Sequence, residues 1–313
     1  MKKRVKIDAI IPNRLLWMRF DFWPSSFRVI AITYTLFFYI LLPSVSESSL
    51  LIGGEIIYRV TKGDTMELIG AKLGVDWRTL LKENNIDEKQ ILSIGQEIRT
   101  DTSKIVPKII DDGIIINIPD RMLYYFKNKM LRASFPVGLG MHSRETPTGQ
   151  FQVVYKEEHP TWYVPRSVQL EMLRKGARVR VVVPPGPDNP LGRYAVKLSL
   201  PGILIHETIW PASVYQFRSH GCIRVLPRDI ENFFKDVEID VTGEIIYTPL
   251  KIAVSDSGRI FLEVHRDVYR KIEDMNAEAK RLIESKGLSD KVNWQKVNVM
   301  LREKSGVAKD ITL

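Results

Sequence analysis

Two short segments concentrate the groups that could break and make acyl bonds, His206-Glu207-Thr208 and Ser219-His220-Gly221-Cys222-Ile223-Arg224. Cys222 is the single cysteine of a 313-residue chain, so an intrachain disulfide is excluded. A thiol becomes a useful nucleophile when a neighbouring histidine or backbone dipoles lower its pKa. His220 stands two residues before Cys222, and His206 stands sixteen before it, after the strand-like run Ile203-Leu204-Ile205. Gly221 lets the backbone approach a substrate and turn N–H groups toward an oxyanion. Arg224 supplies a fixed charge suited to a carboxylate. A lone cysteine is more commonly a small buried hydrophobe, but two histidines, a glycine and an arginine around this one favour nucleophilic chemistry.

Composition and charge say where such chemistry happens. With 44% hydrophobic and 27% charged residues, the chain is globular and long enough for about two domains. The net charge of +9 would suit a nucleic-acid binder, but its distribution opposes that reading. Residues 1–28 hold Lys2, Lys3, Arg4, Lys6, Arg14, Arg19 and Arg28 against Asp8 and Asp21, which is +5 of the total. An uncharged run, 29–46, follows, with Val29–Leu42 as its apolar centre. A basic flank before a short apolar run reads as an export signal, with 1–28 left in the cytoplasm. Two forms stay open: cleavage after Ser46, with Ser44 and Ser46 as the small residues a peptidase reads, or an uncleaved inner-membrane anchor. Either way the working part lies outside the cytoplasm, where an unpaired thiol needs a reason to exist.

Residues 55–101 read as a βααβ unit. Tyr58 and Val60 alternate with polar neighbours, Gly63 turns the chain, and Asp64 or Thr65 caps a helix. Met66, Ile69, Ala71 and Leu73 mark that helix, Trp77, Leu80 and Leu81 a second, and Ile94–Ile98 a returning strand. This stretch resembles a LysM domain through Tyr58-x-Val60-x-x-Gly63-Asp64-Thr65, Ile69-Gly70, Leu80, Asn84 and Leu92-x-x-Gly95-Gln96. The resemblance implies binding of N-acetylated glycans and hence a peptidoglycan anchor, with Gly63, Asp64, Thr65 and Asn84 as the expected contacts. A spacer role is the alternative. Residues 102–113, polar and containing Pro107, read as a linker.

From residue 114 the short runs Ile114–Ile118, Arg121–Phe126 and Phe151–Tyr155, with glycine and proline turns between them, indicate a mainly β domain over 114–250. The segment around Cys222 resembles the catalytic motif of L,D-transpeptidases with a YkuD-type domain. Val137–Gly140, Thr146–Phe151, Pro160–Trp162, Pro185–Gly192 and Phe261–His265 resemble the same family. Carried over residue by residue, the resemblance implies Cys222 as nucleophile and His206 as general base, its tautomer fixed by a backbone carbonyl just after it. It implies a supporting His220, oxyanion donors at the N–H groups of Gly221 and Cys222, and orienting roles for Ser219 and Arg224. Two positions depart from the pattern: Glu207 and Tyr215 stand where glycine is common. Both are expected to add bulk at the mouth of the site and, with Trp162, to contact substrate.

The activity so implied is attack of Cys222 on the carbonyl of the L-centre diaminopimelate residue of a tetrapeptide stem, with loss of D-alanine and transfer to an amine. A stem amine as acceptor gives a 3→3 cross-link, an outer-membrane lipoprotein gives a tether, and water gives carboxypeptidase activity. The bond already in the stem supplies the energy, so no cofactor and no metal is expected. His142, His159 and His265 lack ligand spacing and read as structural. Leu170–Leu173 reads as a short helix, with a lid as one use for it. Beyond 250 the pattern turns helical, with Tyr269, Ile272, Met275, Ala279, Leu282 and Ile283 on one helix and Trp294, Val297, Met300 and Leu301 on a last one capped by Ser289. The expected class is α+β: a βααβ module, a mainly β catalytic domain, and a mostly helical extension over 251–313. A non-catalytic wall-binding protein with a decayed enzyme domain is the reading from another class.

Overall fold

The computed structural model describes residues 50–313. The basic segment and the apolar run, with Ser44 and Ser46, lie outside the described residues. Among the described residues no helix is long and apolar enough to cross a membrane.

The first unit pairs Glu55–Arg59 (β1) antiparallel with Glu97–Asp101 (β2), setting Tyr58 opposite Ile98. Met66–Leu73 (α1) and Trp77–Asn84 (α2) lie between them. Thr65 rather than Asp64 caps α1, its side chain accepting the Leu68 N–H, and Asp76 caps α2. Val60, Ile69, Leu80 and Ile98 close a small core.

A nine-stranded sheet forms the main body. Its strands are Gly113–Asn117 (β3), Met122–Lys127 (β4), Met130–Gly140 (β5), Gly149–Glu158 (β6), Tyr194–Leu198 (β7), Leu204–Glu207 (β8), Phe217–Ser219 (β9), Ile223–Val225 (β10) and Thr242–Ile246 (β11). They run in the order β9-β5-β10-β8-β7-β6-β11-β3-β4, and β4 pairs again with β5, so the sheet closes on itself. Closure removes open edges around a ring of eight strands, and β9 pairs with β5 outside it. Residues such as Ile114, Leu123, Val153, Val196, Ile205 and Ile223 alternate into one core, which Ile230 and Phe233 of helix Pro227–Asp236 complete. A further helix, Arg166–Arg174 (α3), lies between β6 and β7 and buries none of its residues. The helix after β10 is α4.

The C-terminal extension has its two expected helices, Met275–Ser285 (α5) and Trp294–Glu303 (α6), and also a sheet that the helical reading passed over. That sheet pairs Leu250–Val254 (β12), Ile260–Val264 (β13) and Lys309–Asp310 (β14), and the helices close a separate core over it. Two details of the helical reading are corrected. Asn293, not Ser289, caps α6, and Tyr269 and Ile272 precede α5 rather than belong to it.

The 102–113 segment is built into the fold rather than free. Lys104–Ile105 pairs with Leu51–Ile52, and Ile105 and Val106 are buried. The Ile105 N–H donates to Glu263, and its carbonyl accepts from Lys251. The Lys251 ammonium also sits 2.6 Å from Asp120 and 3.0 Å from Glu263, and His265 lies 2.6 Å from Glu263. All four of these side chains are buried, so strap, sheet and extension meet in one ionic knot.

Candidate active site

Strand periodicity assembles the site. β8 and β10 are parallel neighbours, with Ile205 beside Ile223 and His206 beside Arg224. Side chains alternate faces along a strand, and register partners share a face. Ile205, Ile223 and Val225 point into the core. His206 and Arg224 therefore take the other face, and Cys222, one position before β10, shares it. The loop between β9 and β10 is tied to itself. Ser219 Oγ donates to the Cys222 carbonyl and accepts the Gly221 N–H at 3.2 Å, and Gly221 adopts φ +108°. A side chain at that φ would be strained. Thr146 holds the loop from outside: its hydroxyl donates to the Gly221 carbonyl and accepts the Gly140 N–H, both at 2.9 Å. Tyr269 donates to the Gly140 carbonyl at 2.6 Å and receives the Thr146 N–H.

The electrostatics leave His206 and Cys222 neutral. His206 is buried, which lowers its pKa to about 4 against the opposing hydrogen bond to the Glu207 carbonyl, with Arg224 lowering it further. That carbonyl lies 2.5 Å from Nδ1 and can only accept, so Nδ1 carries the proton and Nε2 keeps its lone pair. Burial pushes the Cys222 thiol above its ordinary value, with Arg224 pulling the other way. The Sγ lies 3.5 Å from the Gly202 carbonyl. A neutral thiol and a neutral imidazole lining one hollow suit general-base activation better than a standing ion pair.

Two hollows meet at Cys222. One, about 620 Å³, lies beneath α3 and is lined by Glu171, Lys175, Trp210, His206, His220 and Arg224 among others. The second, about 370 Å³, is lined by Tyr155, Glu157, Tyr163 and Lys197. Trp162, Pro165, Leu191, Gly202 and Ile203 line both, so Trp162 stands at the junction of the two. Glu171 of α3 reaches His220, with Oε2 3.3 Å from Nε2, while its Oε1 takes the Lys175 ammonium at 2.7 Å.

Glu207 and Tyr215 lie elsewhere than the sequence suggested. The Glu207 carboxylate accepts the Arg193 N–H at 2.9 Å and packs on Gly192, where a Cβ would stand 2.5 Å away. It clamps the 192–193 turn and does not line either hollow. Tyr215 is 3% exposed, with φ +59°. Its ring packs with Val106, Met122 and Tyr124, and the Arg121 guanidinium stacks on it at 4.0 Å. Arg121 also faces Asp76 of the first unit at 3.8 Å. Tyr215 thus fills the seam between the two units, and burial there offsets a backbone conformation that glycine adopts more freely.

In the first unit, Asp64, Thr65 and Asn84 hold the fold. Asp64 accepts from the Tyr58 and Thr61 hydroxyls, the Thr61 N–H and Lys72. Asn84 bridges α2 to the backbone of Arg99. Gly63 stays open, with nothing within 4 Å of a notional Cβ. Asp120, Glu263 and His265 converge closely enough to hold a metal ion, but Lys251 already places a cation among them. Sequence reasoning missed Glu171, and gave Thr146 and Tyr269 no role at the site. The Thr146-Pro147-Thr148-Gly149 motif was the one available signal.

Comparison with known proteins follows the same division. The family model described as L,D-transpeptidase catalytic domain (YkuD) matches residues 111–252, and that of the LysM domain matches 58–100. "Probable L,D-transpeptidase YcfS" of Escherichia coli (strain K12) is 30% identical over 230 residues, covering 71% of this chain and 71% of that protein. "Probable L,D-transpeptidase ErfK/SrfK" of the same strain is 29% identical over 300 residues, covering 92% and 93%. The NMR structure of the catalytic domain from E. faecium L,D-transpeptidase is 20% identical, with a TM-score of 0.32 over 44% of this chain and 98% of that one.

Proposed function

The chain belongs to the L,D-transpeptidase family, and from that premise we propose that it is an exported enzyme that acts on peptidoglycan tetrapeptide stems in the periplasm. The LysM unit holds it to the wall polymer, and residues 29–46 direct its export. The observation that carries this reading is the shared face of β8 and β10, which brings Cys222, His206 and Arg224 to one hollow.

His206 Nε2 takes the thiol proton as Sγ attacks the carbonyl of the diaminopimelate L-centre. The Cys222 N–H faces the developing oxyanion, while the Gly221 N–H is shared with Ser219 Oγ. Collapse breaks the peptide bond, and the His206 proton goes to the departing D-alanine amine. The thioester then waits for an acceptor. Two hollows meeting at one sulfur favour transfer over hydrolysis, since donor and acceptor can approach from different sides. A stem amine or a lipoprotein lysine serves as acceptor.

Incubation of the full-length chain with disaccharide-tetrapeptide, read by mass spectrometry beside Cys222→Ala, tests the proposal. A dimer lacking one D-alanine is the expected product. Tripeptide alone converts the reading to an L,D-carboxypeptidase. No change with any acceptor, and no acylation of Cys222 by a carbapenem, leaves a wall-binding protein without catalysis.

A further inference from the structure

We propose that Glu171 and His220 form the seat of the acceptor amine: the carboxylate binds an incoming primary alkylammonium and the imidazole takes its proton. This rests on the transpeptidase reading above. An amine acceptor is a cation near neutral pH, because alkylammonium groups have a pKa near 10. It must be attracted to the thioester and must also lose a proton before its nitrogen can attack.

The hollow beneath α3 holds Lys175, Arg180 and Arg224 as cations and only Glu171 and Asp188 as carboxylates. Of the two carboxylates, Glu171 faces the catalytic loop, with Oε2 3.3 Å from His220 Nε2. That contact is electrostatic rather than an aligned hydrogen bond. The seat requires the Nδ1–H tautomer of neutral His220, in which the Glu171 Oε2 and the His220 Nε2 lone pair, 3.3 Å apart, converge with no proton between them. A primary ammonium satisfies both, one N–H to each. Lys175 shows that the carboxylate accepts this group, since its own alkylammonium occupies Oε1 at 2.7 Å. Lys175 is 69% exposed, and such a pair is weak enough to be displaced. His220 is neutral at rest, because burial lowers its pKa against the pull of Glu171, with Arg144, Arg224 and Lys175 adding to the lowering.

The protons balance. The acceptor R–NH3+ gives one proton to His220 Nε2, which later returns it to solvent. The freed amine forms a C–N bond at the thioester carbonyl and loses a second proton to His206. The C–S bond breaks, and the His206 proton passes to the Cys222 sulfur. The amide keeps the third hydrogen. Glu171 stabilises the transient imidazolium.

The test uses the full chain with tetrapeptide donor and Nα-acetyl-lysinamide as amine probe, and reads the ratio of aminolysis to hydrolysis of the acyl-enzyme. Glu171→Gln is expected to lower that ratio about tenfold, chiefly through a higher KM for the amine, the scale of one lost charge-assisted hydrogen bond. Acyl-enzyme formation should fall much less. Lys175→Gln should move the ratio the other way, since it removes the competing ammonium. A role of Glu171 in merely holding α3 predicts losses in both variants. A ratio unchanged in Glu171→Gln, or lowered in Lys175→Gln, overturns the inference while leaving the transpeptidase reading intact. A parent chain that forms no acyl-enzyme overturns both.

Discussion

His206 and His265 are buried histidines within one chain, and burial lowers the pKa of each. Their surroundings differ in what is left unspent. His206 commits Nδ1 to the Glu207 carbonyl and turns the rest of its ring toward a hollow that also contains Cys222. His265 commits Nε2 to Glu263, with Lys251 and Asp120 behind it, and Gly306 lies so close that a Cβ there would stand 2.7 Å from the ring. Burial perturbs both, so perturbation alone does not identify a site. A free lone pair on a ring that shares its void with a thiol marks a candidate.

Substitution separates the two most sharply. His206→Ala should lower turnover by at least about 1,000-fold, within the range for a lost general base, with circular dichroism unchanged. His265→Ala should do the reverse, keeping turnover per folded molecule near the parent while the thermal midpoint falls. Loss of turnover in His265→Ala at an unchanged midpoint would abolish the distinction between the two histidines.

The knot itself should respond next most strongly. Lys251→Met strands two buried carboxylates, Asp120 and Glu263, and removal of one partner from a buried ion pair costs about 3–5 kcal/mol. Urea unfolding measures it. Adding Glu263→Gln to Lys251→Met should recover part of the loss, because one stranded charge is then neutral. A double variant less stable than Lys251→Met would show that Glu263 acts through His265 and the Ile105 N–H rather than through Lys251.

A smaller effect appears in acid. The folded pKa of His206, about 4, lies below the ordinary value of 6.5, so the unfolded chain binds more protons between these limits. Its contribution is therefore complete above pH 6.5 and is lost as pH falls toward 4, to a total of about 3 kcal/mol. Comparing parent and His206→Ala unfolding at pH 7 and pH 4.5 isolates it. The same ionisation places the acid limb of the rate profile near pH 4, and an acid limb near 6.5 would mean that His206 is solvated in solution.

Much of this was readable from the chain. The period-2 alternation of Ile205 with His206 and of Ile223 with Arg224 is local, as are the strand and helix signals of the βααβ unit. What escaped notice depends on distant partners. Tyr215 reads as an intruder in a glycine position until Arg121 and the first unit are seen against it. Glu207 looks like bulk at the mouth until the 192–193 turn arrives to be clamped. The strap at Lys104–Ile105 looks like a linker because its anchors, Lys251 and Glu263, lie 146 and 158 residues away. Glu171 sits on a helix whose exposure gave no hydrophobic period to register it against the site.

Asp64 tests whether the behaviour of the knot extends to a polar cluster at the surface. Burial alone would raise its pKa, but Lys72, the Thr61 N–H and the Tyr58 and Thr61 hydroxyls bring it down to about 2. A carboxylate with a lowered folded pKa contributes stability above its unfolded value of 3.8, and loses it as pH falls from there toward 2. The Asp64 side chain is 1% exposed, but its partner Lys72 is 36% exposed, so solvent screens the pair. Asp64→Asn should therefore cost about 1 kcal/mol at pH 7, less than Lys251→Met, and should remove acid sensitivity below pH 4 from the LysM unit. Amide hydrogen exchange confined to β1, α1 and α2 measures it. A loss as large as that of Lys251→Met would mean that four hydrogen bonds to one carboxylate matter more here than the exposure of its cation, and burial would no longer be what ranks the two clusters.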